Sequence, residues 1–150
     1  MRPCRIAALI CLVIVAAGFS GCVKIVPAEV AGSWAGQLTW AENDQYAGIT
    51  KPLTLHLVQD QTSVSGQVEL MGPASQAYSL PIISGLVRGN SISIAASGEF
   101  PFVSPPPSVS FTLEGECAGD EMSGTGVQTI DGEPHDFCWE VLLTSEPPPA

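Results

Sequence analysis

The chain has 150 residues, with 15 glycines and 13 prolines, and only 13% of its residues are charged. Fifteen acidic residues against five basic ones give a formal net charge of −10 at pH 7. An acidic surface repels phosphate backbones, so the composition argues against nucleic acid as a partner and favours cationic partners.

The N-terminal residues predict a signal peptide over residues 1–21. Arg2 and Arg5 precede an apolar run over residues 6–17, which is shorter than the roughly 20 residues of a membrane span. Four small or apolar residues, 18–21, then lead to Cys22. This arrangement resembles the lipobox of bacterial lipoproteins, in which a diacylglycerol is attached to the cysteine and the preceding peptide is removed.

The resemblance implies a mature protein held in a membrane of the cell envelope by lipid on Cys22. Without residues 1–21, three basic residues remain against the fifteen acidic ones, so the net charge becomes −12. No aspartate follows the cysteine, and in the family this implies the outer membrane, facing the periplasm or the exterior. Anionic lipid headgroups repel such a charge, which leaves the acyl chain as the expected membrane attachment.

The mature chain predicts one domain between two short extensions. Residues 22–31 form the expected tether, residues 32–144 the domain, and residues 145–150 a disordered proline-rich tail. About 110 residues suffice for one modest core and not for two.

Within the domain, apolar and polar residues alternate and turn residues separate the alternating runs, which is typical of β-strands. Eight strands are predicted, and the fourth is expected to bend at Pro81 or Gly85. Their ranges are Ser33–Trp40, Pro52–Gln59, Ser63–Met71, Ala77–Arg88, Ser91–Ser97, Ser108–Cys117, Glu121–Ile130 and Asp136–Leu143.

Eight short strands joined mostly by tight turns predict an all-β fold, an antiparallel up-and-down barrel. A flattened β-sandwich is the alternative, because the strand pattern fits both. Three apolar-Ser-Gly triplets, ending at Gly66, Gly85 and Gly124, place glycine where a barrel needs a bulge or bend.

The tripeptide Gly32-Ser33-Trp34 at the start of the first strand resembles the Gly-x-Trp of lipocalins and of the wider calycin group. In those families the tryptophan closes one end of a barrel that binds a small ligand. Lipocalins also carry a late arginine over this tryptophan and a helix after the last strand, and this chain has neither. The resemblance is therefore to a lipocalin-like small barrel, and it implies binding of a small apolar ligand.

Three functions are compatible with these features. The first is binding of a small apolar ligand inside the barrel, next to the expected interior side chains Trp34, Trp40, Phe111 and Trp139. The second is an acidic module that binds or inhibits a cationic enzyme, which the charge of −12 favours. The third is a purely structural envelope lipoprotein.

The loop Gly98–Ser108 combines Phe100, Phe102 and four prolines. Prolines stiffen a loop and reduce the entropy that it loses on binding. The two aromatic rings either form a lid or contact patch for a partner, or fold back and plug the barrel end.

Cys117 and Cys138 could pair in an oxidising envelope. The strand assignment places them at different ends of the barrel, which opposes a bridge, since the Cα atoms must lie within about 7 Å. Compartment and geometry therefore disagree, and the pairing stays open.

No residue set predicts catalysis, a metal or a cofactor. His56 and His135 lack ligand spacing and are expected to be solvated, His135 in a turn. No Gly-x-Ser-x-Gly elbow or phosphate-binding loop occurs, so the sequence predicts a protein that is not an enzyme.

Overall fold

The computed structural model describes residues 25–145, and these form the predicted all-β fold. There are eight strands: β1 Gly32–Trp40, β2 Thr50–Asp60, β3 Ser63–Met71, β4 Ala77–Arg88, β5 Ser91–Glu99, β6 Ser108–Ala118, β7 Glu121–Ile130 and β8 Glu133–Ser145. A short 3-10 turn, Pro73–Ser75, lies between β3 and β4. Residues 1–24 and 146–150 lie outside the described residues. The predicted signal peptide, Cys22 and most of the predicted tail therefore also lie outside them.

The strands pair antiparallel in chain order, and β1 also pairs with β8, so the sheet closes into a barrel. The predicted up-and-down barrel is confirmed, and the sandwich alternative is wrong. Closure leaves no sheet edge open to pairing with another chain. Among residues 25–145, no helix is long and apolar enough to cross a membrane.

Several strands are longer than the alternation predicts, because backbone pairing continues past the apolar residues. The clearest case is β8, which begins at Glu133 opposite Ile130. The intervening turn contains only Asp131 and Gly132, whose φ values are 50° and 85°. Two consecutive residues with positive φ match the right-handed twist of a two-residue hairpin.

The bend predicted in β4 is a register shift between Ile82 and Ser84. It lies between Pro81 and Gly85, the two positions that the sequence singled out. Ile83 points outward at the shift and is 66% exposed. The extra residue keeps apolar side chains of β4 inside the barrel on both sides of the shift.

Two of the repeated Ser-Gly positions lie where adjacent strands come close. Gly66 has φ +128°, and a Cβ atom there would lie 1.9 Å from the His56 carbonyl oxygen. A Cβ atom at Gly124 would lie 1.9 Å from the Glu114 carbonyl oxygen. Glycine is therefore required at both positions for the sheet to curl into a narrow barrel.

Inward-facing side chains from all eight strands fill the barrel. The largest ones that are almost fully buried are Trp34, Phe111, Phe137, Leu38, Leu53, Leu55, Leu80, Ile94, Leu113 and Met122. A barrel of eight strands either is filled by side chains or holds one small ligand. In this barrel the buried apolar side chains form one continuous cluster.

The barrel has two different ends. The tether end carries residues 25–31 and the tight turns 61–62, 89–90 and 119–120. The loop end carries the connections 41–49, 72–76, 100–107 and 131–132. The long connections thus all lie at one end, away from the N-terminal segment.

Residues 28–31, which the sequence assigns to the tether, cover the tether end of the barrel. The Ala28 N–H donates to the Gly89 carbonyl at 2.7 Å, and the Val30 N–H donates to Gln59 Oε1 at 2.7 Å. Val30 is fully buried, and its carbonyl accepts the Trp34 indole N–H at 2.9 Å. The segment and Trp34 together cover part of this end.

Candidate functional site

The predicted interior residues Trp34, Trp40, Phe111 and Trp139 all lie in the core. Phe111 stacks on Phe137 with ring centroids 4.9 Å apart, and the Trp139 indole N–H donates to the Thr125 carbonyl at 3.0 Å. The aromatic rings therefore contact one another and the barrel wall. They fill the space that a ligand in a lipocalin-like barrel would occupy.

Phe100 and Phe102 fold back and plug the loop end. Both rings meet Tyr78 edge-on, at centroid distances of 5.4 and 5.7 Å, and they lie 5.2 Å from each other. Both side chains are half-buried and pack against the core, whereas Val103 in the same loop is 53% exposed. The two aromatics are thus part of the core and do not form an exposed contact patch.

Below this plug, the Gln128 side-chain amide donates to the Tyr78 hydroxyl oxygen at 3.0 Å. Gln128 is 5% exposed, so the bond satisfies a polar group that water does not reach. Burial raises the pKa of the Tyr78 phenol above its usual value of 10.0, against the opposing effect of this bond. Tyr78 therefore stays neutral and joins the plug to the core.

The other part of the loop end is held by a side-chain hydrogen bond between Asp44 and His135. Asp44 Oδ2 lies 2.9 Å from His135 Nδ1, and Asp44 Oδ1 accepts the Tyr46 N–H at 2.8 Å. The hydrogen bond from Tyr46 and the neighbouring His135 lower the pKa of Asp44 below 3.8, although partial burial opposes them. The rings of Trp40 and Tyr46 flank the imidazole at 5.8 and 5.5 Å.

The prediction of a solvated His135 in a turn is wrong. His135 lies on β8, faces inward and is 7% exposed. The turn ends three residues earlier than expected, which moves His135 from the loop into the barrel wall. The prediction for His56 is confirmed, because His56 is exposed on β2 and lies 3.0 Å from the Ser33 hydroxyl.

The structure does not contain the Cys117–Cys138 bridge that the sequence left open. Cys117 carries a free thiol that faces the interior near the tether end, opposite Met122 of β7. Cys138 lies opposite Thr125, three residues further along β7. Burial, and to a smaller extent Glu116, raise the pKa of the Cys117 thiol to about 11.

Five exposed carboxylates cover the outside of the barrel between β6 and β8, towards the tether end. We call this surface the acidic wall; it consists of Glu114, Glu116, Asp120, Glu121 and Glu140. Ser123 of β7 lies between Glu116 and Glu140 in the register, so these two acids are two strands, or roughly 10 Å, apart.

No lysine or arginine neutralises the acidic wall within residues 25–145. Among the described residues, the one contact within 4 Å between a basic and an acidic side chain joins His135 to Asp44 at the loop end. Glu140 accepts a hydrogen bond from the neutral Gln37 amide at 2.8 Å, and Lys51 and Arg88 lie on β2 and β4. The acidic wall therefore carries an uncompensated negative potential. The alternation of acidic residues on β6 is the sequence signal that could have indicated it.

An open pocket of about 620 Å³ lies at the tether end, beside the N-terminal segment. Its apolar lining includes Trp34, Cys117 and Leu143, and its polar lining includes Glu29 and Asp120. Sequence analysis missed this pocket, because it forms between a segment expected to be a free tether and the ends of β6 and β8. The arrangement can accept an amphipathic molecule whose polar group is neutral or cationic.

Within the described part of the chain, no three histidine, cysteine, aspartate or glutamate side chains are grouped to hold a metal ion. Comparisons with protein-family models, with curated proteins and with solved structures found no match.

Proposed function

We propose that this chain is a lipid-anchored protein of the cell envelope, attached through Cys22 and facing the periplasm or the exterior from the outer membrane. The supporting observation is the sequence at residues 2–22, with its basic start, apolar run and small residues before the cysteine. Mass spectrometry of the N-terminal peptide tests this proposal. A mature N-terminus at acylated Cys22 is expected, and an unmodified cysteine would contradict it.

The barrel itself is a rigid support whose acidic wall binds a cationic protein, such as a secreted or envelope enzyme. The observation that carries this proposal is the set of exposed carboxylates on β6 to β8 with no basic partner among the described residues. Clustered charge of one sign raises the association rate of an oppositely charged partner and selects against like-charged ones.

Interior ligand binding is less well supported, because large side chains occupy the barrel. The interior at the position of Phe111 and Phe137 is filled by stacked rings, and the loop end is closed by Phe100 and Phe102. A protein surface therefore remains the better candidate for recognition than a lipocalin-like cavity.

A binding experiment with a defined cationic probe, lysozyme, tests the acidic wall. The variant Glu114→Gln/Glu116→Gln/Glu140→Gln removes three charges of the acidic wall. The control Glu42→Gln/Glu69→Gln/Glu99→Gln removes three charges elsewhere, so the two variants have equal net charge.

At low salt the wall variant is expected to bind roughly tenfold more weakly than the native protein, while the control changes little. Physiological salt, with a Debye length of about 8 Å, should reduce the difference. Equal weakening of both variants would mean that only net charge matters, and the acidic wall would lose its proposed role.

A second candidate function is binding of a small amphipathic ligand in the tether-end pocket. Its support is the pocket of about 620 Å³, which combines the apolar Trp34 and Leu143 with carboxylates. Typical ligand pockets have 300–1,000 Å³ and a few polar groups in an apolar lining, by rough convention.

Long-chain alkylamines of increasing length are suitable probes for this pocket. The variant Ala118→Trp fills it from the exposed end of β6, and Ala95→Trp on β5 is the matched control. Binding that is lost in the first variant and kept in the second would support the ligand function. Binding that survives in both would contradict it.

A further inference from the structure

We propose that the tether end of the barrel lies against the surface of a lipid bilayer, with Ile25 and Val26 among the headgroups, so that the loop end points away from the membrane. This inference rests on the proposed lipid attachment at Cys22. It goes beyond that attachment because a lipid alone does not orient a domain.

The first argument is the fixed position of the chain close to the lipid. Ala28 and Val30 are hydrogen-bonded across the tether end, and the Gln59 amide also donates to the Ala28 carbonyl at 3.0 Å. Five residues lie between Cys22 and Ala28, so the tether end stays within roughly 20 Å of the anchored cysteine, the reach of six extended Cα–Cα steps. The loop end lies about 25 Å further away, as expected for strands of about ten residues tilted in a barrel.

The second argument is the exposure of two aliphatic side chains on this short connection. Ile25 and Val26 are 73% and 74% exposed, the highest values among the large exposed hydrophobic residues described. Burying one such side chain favours a docked state by about tenfold or more. Ile25 and Val26 are adjacent and lie three and four residues after the lipid-bearing cysteine. They therefore favour contact of the tether end with the boundary between acyl chains and headgroups.

Charge defines the kind of bilayer that fits. Among residues 25–145, the tether end has one cation, Arg88, and four exposed carboxylates, Glu29, Asp60, Asp120 and Glu121. The sequence adds one basic residue before Ile25, Lys24, so the acidic residues still outnumber the basic ones. Anionic headgroups repel such a surface, whereas zwitterionic headgroups do not. The occupant of this surface is therefore a zwitterionic bilayer, and anionic lipid should lift the barrel from it.

Hydrogen exchange of the full lipidated protein tests this orientation. The protein is placed in vesicles of phosphatidylcholine, or of equal parts phosphatidylcholine and phosphatidylglycerol. Ile25→Ser/Val26→Ser removes the proposed contact. Val58→Ser/Ile83→Ser is the matched control, since these outer-wall residues are 64% and 66% exposed.

In phosphatidylcholine, exchange at the turns 61–62, 89–90 and 119–120 is expected to be about tenfold slower in the native protein than in the Ile25/Val26 variant, if the docked state is favoured tenfold. The control variant should behave like the native protein. Loop-end residues 41–49 should exchange alike in all three. Phosphatidylglycerol should reduce the protection of these turns from exchange. If Ile25 and Val26 only stabilised the fold, the protection would not depend on the lipid.

If Cys22 is acylated but the tether-end turns exchange equally fast in the native protein and the Ile25/Val26 variant, the proposed orientation is overturned. The proposed anchoring through Cys22 is then unaffected. Protection of the loop end instead would also overturn the orientation. A mass spectrum without an acyl group on Cys22 would overturn the proposed anchoring and this inference together.

Discussion

At the scale of single residues, the Tyr78–Gln128 hydrogen bond joins the plug of the loop end to the core. Tyr78→Phe removes the hydroxyl oxygen that accepts the hydrogen bond of the Gln128 side-chain amide, its one acceptor among the described residues. An unsatisfied buried polar group costs about 1–3 kcal/mol, so we expect a loss of this size in the free energy of unfolding, measured by urea denaturation.

Tyr46→Phe is the matched control, because Tyr46 is 45% exposed at the same end of the barrel. It should change the free energy of unfolding by about 0.5 kcal/mol or less. Equal losses in the two variants would show that the plug does not depend on this bond.

Cys117 provides a second prediction at the same scale. With a pKa of about 11 and a position inside the wall, its thiol should react at pH 8 much more slowly than an exposed thiol. Alkylation followed by peptide mapping, in native and in urea-unfolded protein, measures the two rates. Rapid modification in the native protein would contradict the buried position.

The interior aromatics could be predicted from sequence, because alternation assigns each strand residue to one face. The Asp44–His135 pair could not be predicted, since the two residues are separated by 91 positions and meet only through closure. The question of a Cys117–Cys138 bridge stayed open for a related reason, because the compartment alone does not determine where two cysteines lie.

At the scale of elements, the loop 41–49 should respond to acid. The pKa of Asp44 is lowered below 3.8 in the folded protein, so the ionised carboxylate stabilises the loop above that pH. The stabilisation is lost as the pH falls through the lower, folded-state pKa. We expect amide exchange in the loop to accelerate below pH 3.8, measured relative to the exchange of β-strand amides.

Asp44→Asn should accelerate loop exchange several-fold already at neutral pH and should remove its acid response. Glu42→Gln, an exposed change in the same loop, should keep the native response. A loop in Asp44→Asn that still opens in acid would assign the response to another group.

The strands were predictable because each one has its own alternation and its own turn residues. The ends of the strands were less predictable than the strands themselves. For example, β8 begins three residues earlier than predicted, because Asp131 and Gly132 alone make the turn. The role of residues 28–31 was also missed. A short segment without alternation carries no signal that it will hydrogen-bond across a barrel end.

At the scale of the whole molecule, alternation gives every strand one apolar face but does not say how the sheet closes. A barrel and a sandwich both satisfy it, and the pairing of β1 with β8 decides between them. The acidic wall likewise exists only in the folded protein, where β6, β7 and β8 place Glu116 and Glu140 in one row.

At this scale, we propose that the outside of the barrel carries the function. Zero-length carbodiimide cross-linking of intact membranes, followed by peptide mapping, tests this assignment most directly, because it joins carboxylates only to amines in direct contact. We predict cross-links to a basic protein from Glu114, Glu116 or Glu140, and their loss at high salt. Cross-links confined to Glu42, Asp131 and Glu133 at the loop end would contradict the assignment.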